Sequence, residues 1–162
     1  MIVSLGADHG GVDLKNAVIH ALNEMGHEIV DRGTYDHERV DYPDYGRAVA
    51  EDVAEERADF GVLVCTSGIG ISISANKVHG IRAAVVYNED GAEFSRRHND
   101  ANIICFGQKY QTPYEAAKFV HIFLNTQYEG GRHERRIAKI GLIEEAEAKL
   151  ESDDQASSSA NT

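Results

Sequence analysis

The residue with the most chemical potential is Cys65, which ends the apolar run Phe60-Gly61-Val62-Leu63-Val64-Cys65 and is followed by Thr66-Ser67-Gly68-Ile69-Gly70-Ile71-Ser72. A thiol at the end of a buried strand, just before a glycine-containing turn into a helix, meets loop amides and the positive end of a helix dipole. That environment lowers a thiol pKa from about 8.5 toward neutrality and makes the sulfur a usable base or nucleophile. Ser67 is placed to cap the following helix, while Gly68 and Gly70 let backbone N–H groups approach a ligand oxygen. The loop therefore reads as an oxyanion or phosphate cradle. A dinucleotide fingerprint fails at its third glycine and no Gly-Lys-Ser/Thr follows, so a bound nucleotide is not indicated.

A second loop, Gly6-Ala7-Asp8-His9-Gly10-Gly11, combines glycines with a carboxylate and an imidazole. Of eight histidines, none forms an HxxxH or HExxH pair, which argues against a local metal site. His9 lies in the first loop, and His98 closes the segment Ser95-Arg96-Arg97-His98-Asn99-Asp100. Arg132 and Arg136, four residues apart, fall on one face of a helix and are spaced to grip an anion. Each has an ordinary reading as well: a lone strand-end cysteine is more often a small hydrophobe, most such histidines are merely exposed, and arginines on a helix usually face solvent beside residues such as Glu129 or Glu134. Cys105, with Ile103, Ile104 and Phe106 around it, keeps that ordinary reading.

The elements that must hold these groups alternate. Ile2–Leu5, Glu28–Val30, Phe60–Cys65, Ala83–Val86 and Ile103–Phe106 read as strands, most of them buried on both faces. Leu14, Val18, Ala21, Leu22 and Met25 recur at helical spacing, as do Ala48, Val49, Asp52 and Val53, and further helices are expected near 70–78, 90–98 and 113–125. Strand–helix alternation implies right-handed crossovers and a parallel sheet covered on both sides, a three-layer α/β/α sandwich. In such a sheet ligands bind beyond the carboxyl ends of the strands, where both glycine loops fall. After Gly130-Gly131 a charged amphipathic helix runs to about Leu150, and its apolar stripe of Ile137, Ile140 and Ile143 suits packing on a second subunit. The expected organisation is one domain over 1–150 and a disordered polar tail over 151–162.

The chain of 162 residues suits one domain without disulfide or metal support. Its net charge of −11 opposes nonspecific attraction to nucleic acid or to an anionic membrane. No basic leader, no apolar run of 18 residues and no paired cysteines are present, so a cytoplasmic location is expected.

Several of these segments occur in the order in which a known family carries them. Gly6-Ala7-Asp8-His9-Gly10-Gly11, Asp41-Tyr42-Pro43-Asp44, Cys65 to Ser72 with Ala75-Asn76-Lys77, Ile81-Arg82-Ala83, Ser95 to Asn102 and Tyr128-Glu129-Gly130-Gly131-Arg132-His133 resemble type-B ribose-5-phosphate isomerase over residues 1 to about 148. The resemblance implies a Rossmann-like sandwich with strand order 2-1-3-5-4 and no metal or organic cofactor. It also implies a homodimer, extendable to a tetramer, whose sites draw on both subunits.

The implied activity is interconversion of ribose 5-phosphate and ribulose 5-phosphate through an enediolate, a sugar phosphate being the partner along with a second copy of the chain. Cys65 matches the family's thiol base, and Ser67 with the amides of Gly68, Ile69 and Gly70 would hold the enediolate oxygens. His98 matches the acid that opens the furanose ring, Asp8 and Asn99 would bind sugar oxygens, and His9, Lys109, Arg132 and Arg136 would hold the phosphate. Two departures stand out: Thr66 is bulkier than the family's usual glycine in the binding loop, and Lys109 replaces an arginine fork with a point charge. A branch of the family with a carboxylate base would place it at Ile71. The competing readings are an isomerase of allose or galactose 6-phosphate or of free rare sugars, and a non-catalytic sugar-phosphate-binding module.

Overall fold

The apolar runs form five parallel strands: β1 (Ile2–Ala7), β2 (Glu28–Asp31), β3 (Phe60–Cys65), β4 (Ala83–Val85) and β5 (Ile103–Gly107), in spatial order 2-1-3-5-4. The computed structural model describes residues 1–159. Five helices join or follow the strands: α1 (Val12–Glu24), α2 (Tyr42–Ala54), α3 (Ile69–Ala75), α4 (Glu89–Arg97) and α5 (Pro113–Asn125). The expected architecture and strand order are both present.

Alternation along the central strands divides the core between the two faces of the sheet. Val3, Leu5, Val62, Val64, Ile104 and Phe106 pack with Leu14, Val18 and Leu22 of α1 and Phe119, Val120 and Phe123 of α5. Leu63, Cys65, Ile103 and Cys105 pack with Val49, Ala50 and Val53 of α2 and with Ile71 and Ala75 of α3. The three central strands are buried on both sides, but β2 and β4 are only half-buried because they are the sheet edges. Helix α3 stops at Ala75, short of the expected Val78, because the Asn76 side chain turns to bond both the amide and the carbonyl of Ala83 at the start of β4.

Two buried charge clusters lock the first half of the fold. The fully buried Lys15 ammonium of α1 reaches both carboxylate oxygens of Asp31 at the end of β2, at 2.6 and 2.7 Å. Asp52 of α2, also fully buried, accepts from the Ser4 hydroxyl of β1 at 2.7 Å, from Arg32 at 2.5 and 2.7 Å and from Arg57 at 2.9 Å. Burial alone would raise the Asp52 carboxyl, but the hydrogen bonds from Arg32, Ser4 and Arg57 and the charge of Arg32 outweigh it and bring the pKa down to about 2.

The chain divides into two compact units, Met1–Tyr128 and the segment from Glu129 onward, so the sheet-bearing unit ends well before the boundary expected near residue 150. The second unit holds a 3-10 turn at Gly131–His133 and helix α6 (Glu134–Ser159). Arg132 therefore sits in the 3-10 turn and Arg136 in α6, instead of both lying on one regular helix. The helix also enters the stretch 151–162 expected to be a tail, since no proline or glycine follows Gly141 to stop it; residues 160–162 lie outside the described ones. Among the described residues, no helix is long and apolar enough to cross a membrane.

Asp52→Asn is predicted to lower the unfolding free energy at pH 7 by about 2–3 kcal/mol. A depressed carboxyl stabilises the fold above its unfolded pKa, near 3.8, and that contribution is lost as the pH falls toward about 2. The difference between wild-type and variant stability should therefore shrink between about pH 4 and 2, as urea unfolding over that range will measure.

Candidate active site

The end of β3 delivers Cys65 to the carboxyl edge of the sheet, with its side chain on the α2/α3 face and only 4% of the residue exposed. The backbone then reverses so that the Gly68 amide donates to Cys65 Sγ at 3.1 Å. Gly68 permits this because its φ is +80°, and an added Cβ would stand 2.8 Å from the Phe106 carbonyl carbon. A peptide N–H donor on sulfur binds the thiolate more strongly than the thiol.

The loop is fixed through its carbonyls. Cys65 O accepts from the Gln108 amide at 2.9 Å, Thr66 O from the Lys109 amide at 3.2 Å and Gly68 O from the Ser72 amide at 3.3 Å. Ser67 O accepts from the Tyr87 hydroxyl at 3.3 Å. The Ser67 hydroxyl accepts from the Ile69 amide at 3.3 Å, so it does reach the first turn of α3; the residue in the N-cap position, however, is Gly68. The Gly68 amide is occupied by sulfur and the Ile69 amide by Ser67. Gly70, also in the first turn and only partly buried, has no acceptor four residues back within the helix, so its amide is the donor a ligand oxygen can use.

Beside this loop runs the loop that follows β1, brought there by the pairing of Ala7 with Val64. Asp8 is buried, and its Oδ1 accepts from the Gly10 amide at 2.9 Å. Burial pushes its carboxyl up from the ordinary range, against the opposing pull of the Gly10 amide and of His9. His9 Nδ1 lies 3.3 Å from the Val40 amide and 3.2 Å from its carbonyl. Thr66, bulkier than glycine, is accommodated by Gly10: a Cβ there would stand 2.3 Å from Thr66 Oγ1.

Ile69 is exposed, and Lys109 is exposed on the same edge as Cys65. Three residues with no assigned part in the sequence reading shape the site. The Tyr42 ring lies against Gly70, where a Cβ would stand 2.8 Å from it. Gln108 accepts the Leu14 amide at 3.0 Å and ties the end of β5 to α1, while Tyr87 holds Ser67. None has a local signature, because each partner is distant in sequence.

His98 and Asn99 stand elsewhere. They follow α4 at the amino edge of the sheet, where Arg82 donates to the carbonyls of Asn99 and Asp100, and the Asn102 side chain bonds Gly80 and Arg82. His98 stacks on Phe94 with ring centroids 4.7 Å apart. Ile103 pairs with Gly61, and Gly107 with Cys65, so the two edges lie four residue steps apart along β3. At about 3.3 Å per step that is roughly 13 Å. One copy of the chain therefore does not bring His98 and Cys65 together. Arg132 and Arg136, both exposed, belong to the second unit, where Arg132 Nε donates to His133 Nε2 at 3.2 Å.

A Rossmann-like α/β sandwich carrying a thiol and glycine amides at the carboxyl edge of its sheet defines an enzyme-type site. Residues 3–140 match the Ribose/Galactose Isomerase family model, and the chain belongs to that family. It is 44% identical to ribose-5-phosphate isomerase B of Escherichia coli, covering 88% of this chain and 96% of that protein. Among solved structures, ribose-5-phosphate isomerase B of Clostridium thermocellum matches with a TM-score of 0.89 and 46% identity, covering 90% of this chain and 99% of that one. Ribose-5-phosphate isomerase B of Mycoplasma genitalium, solved with bound ribulose-5-phosphate, matches with a TM-score of 0.85 and 38% identity, covering 89% of this chain and 96% of that one.

Gly68 and Gly80 share φ +80°, but a Cβ at Gly80 meets nothing within 4 Å. Gly80→Ala should therefore cost only backbone strain, about 1 kcal/mol. Gly68→Ala adds the clash with Phe106 and should cost about 2–3 kcal/mol more. Urea unfolding of the two variants compares them directly.

Proposed function

We propose that this chain is an aldose–ketose isomerase interconverting ribose 5-phosphate and ribulose 5-phosphate. The observation that carries the reading is the Gly68 amide seated on Cys65 Sγ at the carboxyl edge, in a chain of this family. With the sugar open, the Cys65 thiolate takes the proton from C2, and the electrons of the C–H bond pass into an enediolate. The same proton returns to C1 while the O2 proton passes to O1, so that the C2 oxygen becomes the ketone and the C1 oxygen a hydroxyl. The amide of Gly70 faces developing oxyanion charge, where loss of such a donor typically costs about 10²–10³ in rate. Asp8 is positioned for a sugar hydroxyl. In the tautomer where His9 Nδ1 accepts from the Val40 amide, the ring proton lies on Nε2 and can be donated to the phosphate.

We further propose that the working site is assembled between two copies, with His98 and Asn99 of one serving Cys65 of the other, in a homodimer located in the cytoplasm. The separation of these residues to opposite sheet edges supports this. So do the exposed apolar side chains of Ile69 and Ile73, at 51% and 56%, and of Ile140, Leu142 and Ile143. In that assembly His98 supplies the proton that opens the furanose ring, and His9, Lys109, Arg132 and Arg136 hold the phosphate.

Cys65→Ala is expected to abolish formation of ribulose 5-phosphate from ribose 5-phosphate while leaving the affinity for a phosphorylated sugar nearly unchanged; near-normal kcat in this variant would move the base elsewhere. Subunit mixing tests the assembly. Cys65→Ala and His98→Ala proteins, each inactive alone, should regain roughly a quarter of wild-type activity when refolded together, because half the dimers then carry one intact site. Absence of recovery would overturn the shared assembly and return His98 and Cys65 to the same copy's site.

A further inference from the structure

Four successive carbonyls, from Cys65 to Gly68, hold the loop that carries the thiol, and they are not held alike. Those of Cys65, Thr66 and Gly68 accept from the backbone amides of Gln108, Lys109 and Ser72. The carbonyl of Ser67 accepts from a side chain, the hydroxyl of Tyr87. This carbonyl and the Gly68 N–H belong to one planar peptide unit, so the bond that fixes one end of the plane aims the other. The far end is the N–H that donates to Cys65 Sγ. A donor on the carbonyl also polarises the peptide and strengthens its N–H as a donor.

Tyr87 is itself held for this purpose. Val86, buried, continues the pairing with β5 through its amide to the Cys105 carbonyl, and Asn88 caps α4 by accepting the Gly91 amide. Between these two anchors the Tyr87 backbone has little freedom. The ring, half-exposed, stands edge-on to that of Tyr110 with centroids 5.8 Å apart. From the other side the Gly107 backbone presses on Ser67, where an added Cβ would come within 2.7 Å of the Ser67 carbonyl.

We infer that Tyr87 is a positioning residue for the Cys65 thiol, acting through the Ser67–Gly68 peptide. It touches neither sulfur nor sugar. The inference rests on the reading of Cys65 as the catalytic base, and the test separates the two.

Tyr87→Phe keeps the ring and removes only the hydroxyl. Three quantities are measured on the full chain: kcat and KM for ribose 5-phosphate, the rate at which iodoacetamide alkylates Cys65 (followed on the peptide that carries it), and the amide chemical shift of Gly68 in ¹⁵N-labelled protein. Tyr114→Phe, which removes a well-exposed hydroxyl on α5, serves as the control and should match wild type throughout. For Tyr87→Phe the expected result is a Gly68 amide shifted upfield, slower alkylation and a kcat reduced roughly three- to tenfold at unchanged KM, as loss of one neutral hydrogen bond gives. A raised KM with unchanged kcat would overturn the inference by making Tyr87 a substrate contact. An unmoved Gly68 amide and unchanged alkylation would also overturn it. Slower alkylation with normal kcat would leave Tyr87 as the holder of the peptide and remove Cys65 from the chemistry.

Discussion

The close approach of the end of β5 to the loop after β3 is the constraint on which the site depends. Parallel pairing carries on past the strands, from Cys65 beside Gly107 to the amides of Gln108 and Lys109 on the carbonyls of Cys65 and Thr66. Side chains at Gly68 or Gly107 would push the two segments apart. With the segments in contact, the Ser67–Gly68 peptide has one orientation, and its N–H falls on the sulfur. A thiol at the end of an ordinary strand would lack that donor and remain a small buried hydrophobe, as Cys105 is. There, burial pushes the thiol pKa up, with a further contribution from the charge of Cys65.

The first half of the chain supplies a rigid frame for that contact. Lys15 with Asp31 ties α1 to β2, and Asp52 with Ser4, Arg32 and Arg57 ties α2 to β1 and to the segments that follow β2 and α2 itself. Buried ion pairs contribute little net stability by themselves, but removing one partner leaves a costly charge, so they specify position strongly. The result is a fixed loop after β1, with Gly10 against Thr66 and the Asp8 carboxylate. In a chain of net charge −11, an anionic sugar also needs local cations. The residues proposed to supply them lie in different parts of the chain, His9 and Lys109 on the sheet-bearing unit and Arg132 and Arg136 on the second.

The placement of His98 shows how far sequence spacing carries. The resemblance joins His98 and its neighbour Asn99 to Cys65. The pairing of Ile103 with Gly61 puts the whole segment at the opposite edge of the sheet. Arg82 and Asn102 fasten it there. A parallel strand has its entry and exit at different ends, so a residue just before one strand and a residue just after its neighbour cannot meet within one copy.

Strand positions, the α/β/α layering and the chemical promise of Cys65 were all legible in the sequence, because each depends on periodicity or on neighbours within a few residues. The same holds for the glycines around the loop and for Asp8 and His9. Other features depend on partners far along the chain and had no local signal: Tyr42 against Gly70, Gln108 on the Leu14 amide, Gly10 making room for Thr66, and the Tyr87 hydroxyl on Ser67. The start of α6 at Glu134 and its continuation past Leu150 were also misplaced, since helix ends are set by capping geometry and stop signals that composition blurs. The sequence alone singled out Cys65 as the group proposed to take a proton. Tertiary structure decided what holds that group and which edge of the sheet faces it, because those depend on strands meeting in an order the chain does not run in.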